Sequence, residues 1–285
     1  MKNLRKILVF LLVLVLGGML ITACGNSKSA SLDGKTESSK AGSALASAQP
    51  KGDVYVSANI NLLTGEQTLT PEAYGKRPVA VMVNNIKKAF PQYGIEAADI
   101  IFEIPVEGSV TRFMAIYGDY TQIPKICSIR SCRPYFPAFS EGFDAVYVNW
   151  GMMDEVRAYT KTLGLTQFDG TYNTGNLFSR DQDRRAAGYS LEHTGVFDGT
   201  QVDEVMAAKG MRTDIEEDKR DTAFNFVAYG EKVTPTGGAC TVANVDFGIA
   251  VATLTYNAED GKYYIYESRA KSKNQFLLML DENIK

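Results

Sequence analysis

Apolar residues run unbroken from Ile7 to Leu16, almost vanish between Gly25 and about Gly52, and return in short bursts from Asn59 onward. The first clear burst, Arg77–Asn85 (RPVAVMVNN), is a near-continuous apolar run of strand length, the pattern of a strand buried on both faces. Asp99–Val106, Arg112–Tyr117, Ile126–Ile129 and Ala145–Trp150 follow with strand length and β-branched or aromatic enrichment, separated by Gly, Pro or Asp. Between them Pro134–Glu141 and Met153–Leu163 read as helices, and in Gln201–Lys209 the residues Val202, Val205 and Met206 recur at helical i, i+3, i+4 spacing. Strands interleaved with helices predict an α/β main domain with a mixed sheet over residues 59–211.

The pattern changes after Met211. Arg212–Thr222 is a charged stretch with the character of a connector, and beyond it Phe224–Tyr229, Val242–Phe247, Val251–Tyr256 and Tyr263–Glu267 read as strands. Asn257–Lys262 (NAEDGK) supplies Asp-Gly turn chemistry between the last two. Residues 212–285 are therefore expected to form a smaller, mostly antiparallel β unit, with no obvious closing strand after Glu267. The acidic residues of that turn lack the spacing of an EF-hand loop, so a plain turn is the reading.

At the other end Lys2, Arg5 and Lys6 precede the apolar run, and small residues lead on to Cys24, the order of a secretory signal peptide over residues 1–23. Ile21, Thr22, Ala23 and Cys24 resemble the lipobox of bacterial lipoproteins, which implies cleavage before Cys24 and acylation of its thiol by diacylglycerol, with palmitate-type chains as the membrane anchor. Two or more such chains hold where one does not. Ile7–Ala23 spans 17 residues, short of the roughly 20 needed to cross a bilayer core, and is broken by Gly17 and Gly18. Residues 24–58 read as a lipidated cysteine followed by a disordered tether: they are rich in Ser, Ala, Gly and Lys and carry too few large apolar side chains to offset chain entropy.

With 285 residues, 45% of them apolar and 22% charged, the chain is neither wholly disordered, nor collagenous, nor a multispan membrane protein. Thirty basic residues against 33 acidic give a net charge of −3, and loss of residues 1–23 removes three positive charges and takes it to −6. No basic block stands out, so nucleic acid is not an expected partner. One His and four Cys without zinc-module spacing predict neither a metal nor a cofactor. The expected setting is extracytoplasmic, with the membrane as partner through Cys24, and with cell-wall glycan, an anionic ligand or an envelope protein as the further candidates.

Several motifs resemble the YerB-type bacterial lipoproteins. They are Asn61–Gly65 (NLLTG), Arg77–Asn85, Pro91–Gly94, Ala98–Ile100, Glu103 with Val106–Gly108, Thr111–Phe113 (TRF), Ile129–Tyr135 (IRSCRPY), Phe178–Arg184 (FSRDQDR) and His193, with Val245–Tyr264 similar to that family's C-terminal β part. The resemblance implies an extracytoplasmic location and a two-part build, and no established activity. This chain departs from it at Asn84, where the family usually carries Asp, at Cys127 and Cys132, where it carries Gly and Ala, and at Thr194, where it carries Asn. Those small residues imply that Cys127 and Cys132 are buried small side chains; with Cys240 they are an odd number once Cys24 is lipidated, and one disulfide is possible outside the cytoplasm, but a five-residue separation along a strand holds Cys127 and Cys132 too far apart unless the chain turns between them, which argues against a disulfide framework.

The densest polar constellation runs through Asp99, Glu103, Glu107, Arg112, Arg130, Arg133 and Tyr135. On one extended strand the three carboxylates would share a face, with the two glutamates roughly 13 Å apart at about 3.3 Å per residue, too far for a glycosidase pair. Such a row calls for arginine partners, Arg112 first, and both a buried ion-pair network and a ligand or catalytic site fit the pattern. Arg130 and Arg133 precede Pro134, a residue favoured at a helix start, where planar guanidinium forks and free N–H groups would make an anion site; pairing with Asp99, Glu103 or Glu107 is the alternative.

Arg112, Arg130, Arg133, Tyr135 and Arg180 form the candidate ligand-binding set. Glu103, Glu107, Asp181 and His193 are the catalytic candidates, His193 because its pKa lies near neutrality, although no GxSxG elbow accompanies them and a hydrogen-bonded structural role for His193 fits as well. Asn149, Trp150 and Gly151 end a strand where α/β folds tend to bind ligands, and Trp150 would either stack on a sugar or pack in the core. The leading expectation is a membrane-anchored lipoprotein that binds an anionic envelope component or protein partner; the second is a cell-wall hydrolase that needs Glu103, Glu107, Asp181 and His193 to converge.

Overall fold

In chain order the strands are β1 (Val79–Asn85), β2 (Ile100–Val106), β3 (Val110–Tyr117), β4 (Ile126–Cys127), β5 (Val146–Asn149), β6 (Gln167–Asp169), β7 (Phe178–Arg180), β8 (Gly195–Phe197), β9 (Val242–Asp246), β10 (Ala250–Asn257), β11 (Lys262–Arg269) and β12 (Phe276–Leu277). The helices are α1 (Phe136–Gly142), α2 (Asp154–Thr162), α3 (Gln182–Ala186) and α4 (Val202–Ala208). This computed structural model describes residues 59–269, except 109, 173–174, 221–223, 229–230, 232–235 and 249, together with 276–277. The signal peptide, Cys24 and the whole of the tether expected from the sequence lie outside the described residues.

The apolar run of β1 is buried at all seven positions, as its sequence requires, because it is the middle strand of a mixed sheet ordered β2-β3-β1-β5-β6. It pairs antiparallel with β3 and parallel with β5, and β5 pairs parallel with β6. Alternation of side chains along these strands makes two cores. Val79, Val81 and Val83 join Phe113, Ala115 and Tyr117 on one face, under Ile126, Phe178, Phe197, Val202 and Met206. Ala80 and Met82 join Met114 and Ile116 on the other, under Phe136 of α1 and Val156 of α2. Each such large apolar side chain contributes about 1.5–3 kcal/mol by leaving water. In α2 the buried positions Val156 and Thr160 lie one turn apart, while Asp154 and Glu155 in the first turn and Lys161 in the last complement the helix dipole.

The α/β main part on a mixed sheet and the smaller antiparallel sheet, ordered β12-β11-β10-β9, are both present. The β10–β11 hairpin turns through Asn257–Lys262 as its Asp-Gly pair predicts: Asp260 accepts from the Lys262 amide at 3.1 Å, and Gly261 takes φ +72°. Other expectations are corrected. Phe224–Tyr229 is not a strand in its described residues; Phe226 instead packs over Gly65, where a Cβ would sit 2.6 Å from its ring, and Phe224 stacks between Phe226 and Phe143. A closing strand does follow Glu267, since β12 pairs with β11 at Tyr266 and Glu267. The sheet β4-β8-β7 was not foreseen, because β7 and β8 are three residues each and too short to show a period.

The charged stretch after Met211 is no loose connector. Arg212 holds Asp144 with two bonds of 2.6 and 2.7 Å, the Thr213 carbonyl accepts from the Arg77 amide, and Lys76 pairs with Asp214 at 3.0 Å. Asp144 thereby meets buried Arg77 at 3.4 Å as well, which fastens the chain beneath the amino-terminal ends of β1 and β5.

At the opposite ends the two parallel strands part. β1 and β5 pair only through Val81 and Val148, and beyond that the segment 128–132 lies between them. The Asn84 amide donates to the Ser128 carbonyl and the Arg130 amide to the Met82 carbonyl; on the other side the Trp150 amide donates to the Arg130 carbonyl and the Cys132 amide to the Gly151 carbonyl. The segment is thus bound on both edges, and it delivers Arg130, Ser131 and Arg133 to the carboxyl ends of the parallel strands.

Candidate functional site

Carboxyl ends of parallel strands, at a place where neighbours diverge, are where open α/β sheets bind ligands. Three arginines meet at this one. Arg112 comes from β3 directly opposite Asn84 of β1, while Arg130 and Arg133 come from the inserted segment. Arg112 is 5% exposed and donates to the Ser131 carbonyl at 2.5 Å, and among the described residues no carboxylate lies within ion-pair distance of it. Burial, reinforced by the charges of Arg133 and Arg130, pushes its pKa down to about 10. It remains a cation at neutral pH, held in place at a cost.

The two flanking arginines do have partners, and these are exposed. Arg133 binds both oxygens of Glu107 through Nε at 2.7 and 2.5 Å, and Arg130 binds Glu192 at 2.9 Å. The glutamate side chains are 64% and 56% exposed, so each pair is of the surface kind, worth about 0–1 kcal/mol. Tyr135 closes the side of the cluster by donating to the Pro105 carbonyl at 2.5 Å. Helix α1 begins only at Phe136, with Pro137 in its first turn; Pro134 therefore precedes the helix, and the expected helix-start contribution is not part of the site.

His193 adjoins this cluster without joining it. The Asn84 side-chain amide donates to its Nδ1 at 3.0 Å, which leaves the ring proton on Nε2, 3.7 Å from Glu192. Burial lowers its pKa, partly countered by Glu192 and assisted by Arg130, Arg184 and Lys88, so the ring is neutral. Its carbonyl accepts from Arg184 at 2.9 Å. Asp181 faces elsewhere: it caps α3 through the Arg184 amide at 3.1 Å and pairs with Lys125 at 2.7 Å.

The carboxylate row read from the sequence also breaks up. Asp99 precedes β2 and accepts from the Gly118 amide at 2.6 Å; burial raises its pKa. Glu107 follows β2 and belongs to Arg133. Glu103 lies on β2, but Arg112 is not its partner, since the alternation of the sheet puts the two on opposite faces. Glu103 instead accepts from Thr111 at 2.6 Å and from Asn85 at 3.2 Å. The structure therefore brings Arg112, Arg130, Arg133 and Tyr135 together, and distributes Glu103, Glu107, Asp181 and His193 over four different surroundings.

Arg180 stands apart from the cluster too. Its guanidinium lies 3.8 Å over the Trp150 ring and donates to the Leu191 carbonyl at 2.7 Å. The indole packs edge-on to Phe178 at 5.6 Å, and its flanks are closed by Gly170 and Gly195, where a Cβ would approach to 2.6 and 2.9 Å. Trp150 is thus half-buried and packed against the main core, with one face of its ring taken by Arg180. Cys127, Cys132 and Cys240 are free; the first two are buried, which lifts both thiols to about 11.

Asn84, Ser131 and Glu192 complete the surroundings of the arginines and are not among the site residues expected from the sequence, although Asn84 stands out there as a departure from the family and the Asn-Asn pair ending an otherwise apolar strand is a visible signal. Among the described residues no group of three or more His, Cys, Asp or Glu side chains is placed to hold a metal ion.

Known proteins place this architecture. Residues 63–212 match the family described as "Protein of unknown function (DUF3048) N-terminal domain". A curated relative, "Putative lipoprotein YerB" of Bacillus subtilis (strain 168), is 39% identical over 119 residues, which cover 41% of this chain and 35% of that protein, so the match spans about a third of the relative's length. The crystal structure of YerB protein from Bacillus subtilis superposes with a TM-score of 0.55 at 23% identity, covering 76% of this chain and 67% of the other, a likeness of fold. The family match runs from residue 63, well ahead of β1, to just past α4 and takes in all three arginines, and on that evidence the chain belongs to the DUF3048 family of YerB-like proteins.

Proposed function

We propose that this protein is a lipoprotein held on the outer side of a bacterial membrane through Cys24, and that its Arg112–Arg130–Arg133 cluster binds an anionic group of a cell-envelope component. The order of charged, apolar and small residues before Cys24 and the printed name of the Bacillus relative support the anchor. The observation that carries the binding reading is Arg112, a buried cation with no carboxylate within ion-pair distance among the described residues and only the exposed Glu107 acting on it from farther off. An arginine that served structure alone would be expected to face a buried acid, as Arg77 faces Asp144. Glu107 and Glu192 are weak, exposed partners that an incoming carboxylate or phosphate can displace at little cost, freeing two forks beside the central one.

Titration of the purified protein with acidic peptidoglycan fragments tests this, with inorganic phosphate as the simple anion. Binding should weaken tenfold or more in both Arg112→Met and Arg133→Ala and stay unchanged in Glu103→Gln, which lies on the other face of the sheet. Equal binding by all four proteins would overturn the reading, and product formation lost only in Glu103→Gln would replace it with a hydrolase. The anchor has its own check: labelled palmitate should enter the wild type and not Cys24→Ala.

A further inference from the structure

On the face of the main sheet away from Arg112, four strands contribute one polar side chain each to a buried point. Asn85 ends β1, Thr111 stands opposite it on β3, Glu103 comes from β2, and Glu267 reaches in from β11 of the C-terminal sheet, 182 residues along the chain from Asn85. Asn85, Thr111 and Glu267 are at most 4% exposed. The Asn85 side-chain nitrogen lies 2.5 Å from Glu267 Oε1, 2.8 Å from Thr111 Oγ1 and 3.2 Å from Glu103 Oε1, and the Thr111 hydroxyl donates to Glu103 at 2.6 Å.

A count of hydrogens decides what this cluster needs. The amide nitrogen has two hydrogens for three acceptors, and the hydroxyl has one, already given to Glu103. Two carboxylates on one neutral amide, with no further donor among the described residues, repel each other in a water-poor setting. Among the described residues nothing else relieves them. β10 brings Ala252 opposite Glu267, and among the described residues no Lys, Arg or His pairs with either acid, so Glu103 is the one charged group acting on Glu267.

We propose that Glu103 and Glu267 hold a single proton between them, and that this carboxyl–carboxylate pair is a latch: it fastens the C-terminal antiparallel sheet to the main sheet and releases it when the proton leaves to solvent. The latch sits beside Ile265, which packs into the main core from the same face of β11. In agreement, burial and then Glu103 together raise the Glu267 carboxyl to about 9. The chain thus has a means of loosening its C-terminal sheet in alkaline surroundings while the α/β part stays folded.

Carbon-13 labelling of glutamate carboxyls in the full soluble chain reads the proton directly. One resonance should titrate near pH 9 and vanish in Glu267→Gln. Cleavage of the β10–β11 region by a protease active over pH 7–10 should rise by up to about tenfold per pH unit in the wild type between pH 7 and pH 9 and level off above pH 9, as expected for one proton that is bound in the latched state and lost on release. It should be flat in Glu267→Gln, whose amide donates to Glu103 as the protonated acid does. Glu103→Gln exchanges the roles and should behave alike, which covers the case in which one variant does not fold. Glutamate signals that all titrate below pH 6, or a pH-dependent cleavage that persists in a Gln variant, would overturn the latch.

Discussion

Replacing Arg112 by Met separates a structural arginine from one retained for a ligand. A guanidinium whose pKa stands at about 10 against an ordinary 12.5 costs about 3 kcal/mol to keep charged in the folded protein, at roughly 1.4 kcal/mol per pH unit. Arginine is protonated in both folded and unfolded chains at pH 7, so the whole of this cost is present there and begins to ease only as pH rises past about 10. Methionine removes the cost and keeps most of the packing, but forfeits the charged bond to the Ser131 carbonyl, worth about 1.5–3 kcal/mol. The expected net effect lies between neutrality and about 1.5 kcal/mol of stabilisation. Urea unfolding followed by fluorescence of Trp150, the single tryptophan and one packed into the main body, measures it. Phosphate at a hundred times the wild-type dissociation constant should add about 2.7 kcal/mol to the wild type and no more than about 1.4 kcal/mol to the variant, whose affinity is at least tenfold weaker. A loss of 3–5 kcal/mol in Arg112→Met, the usual result of breaking a buried ion pair, would refute the reasoning.

Three further outcomes are expected. Gly170→Ala puts a methyl 2.6 Å from the Trp150 ring and should cost about 1–3 kcal/mol, seen as a lower urea midpoint with altered tryptophan emission. Asp144→Ala strands buried Arg77 and should cost about 3–5 kcal/mol in the same assay; burial pushes the Asp144 carboxyl up, but the bonds from Arg212 and the charges of Arg77 and Lys219 outweigh it, so its contribution is present above the ordinary 3.8 and is lost as pH falls below that. For Glu267 the sign is opposite. Its folded pKa is raised to about 9 from 4.5, so stability should decline across that interval by up to about 1.4 kcal/mol per pH unit, and thermal melts from pH 5 to 9 should show a flatter profile in Glu267→Gln.

The sequence carried what local periodicity can carry. An apolar run buried on both faces had to be an interior strand, and β1 is one; the Asp-Gly turn had to join a hairpin, and it joins β10 to β11. Arg112, Arg130 and Arg133 were legible as a group because they lie within 22 residues of one another, close enough for a strand and its successor to bring them together. The partners of Glu103 were not legible. Thr111 is near in sequence, but Glu267 belongs to another sheet, and no pattern inside an aromatic strand such as Tyr263–Glu267 announces which distant carboxyl it will meet. The short strands β6 to β8 escaped for a related reason: three residues make less than two alternations, and their pairing is decided by the core they close.

The seating of residues 128–132 between β1 and β5 has a bearing on how this family can vary. A loop that hangs over a sheet can lengthen or shorten without disturbing what lies beneath, whereas a backbone stitched along both margins is held to its length and phase by every bond it makes. The spacing of Arg130 and Arg133 is therefore as rigid as the strands themselves. Relatives that recognise different molecules should differ in the outer acids at 107 and 192, and leave the stitched chain untouched.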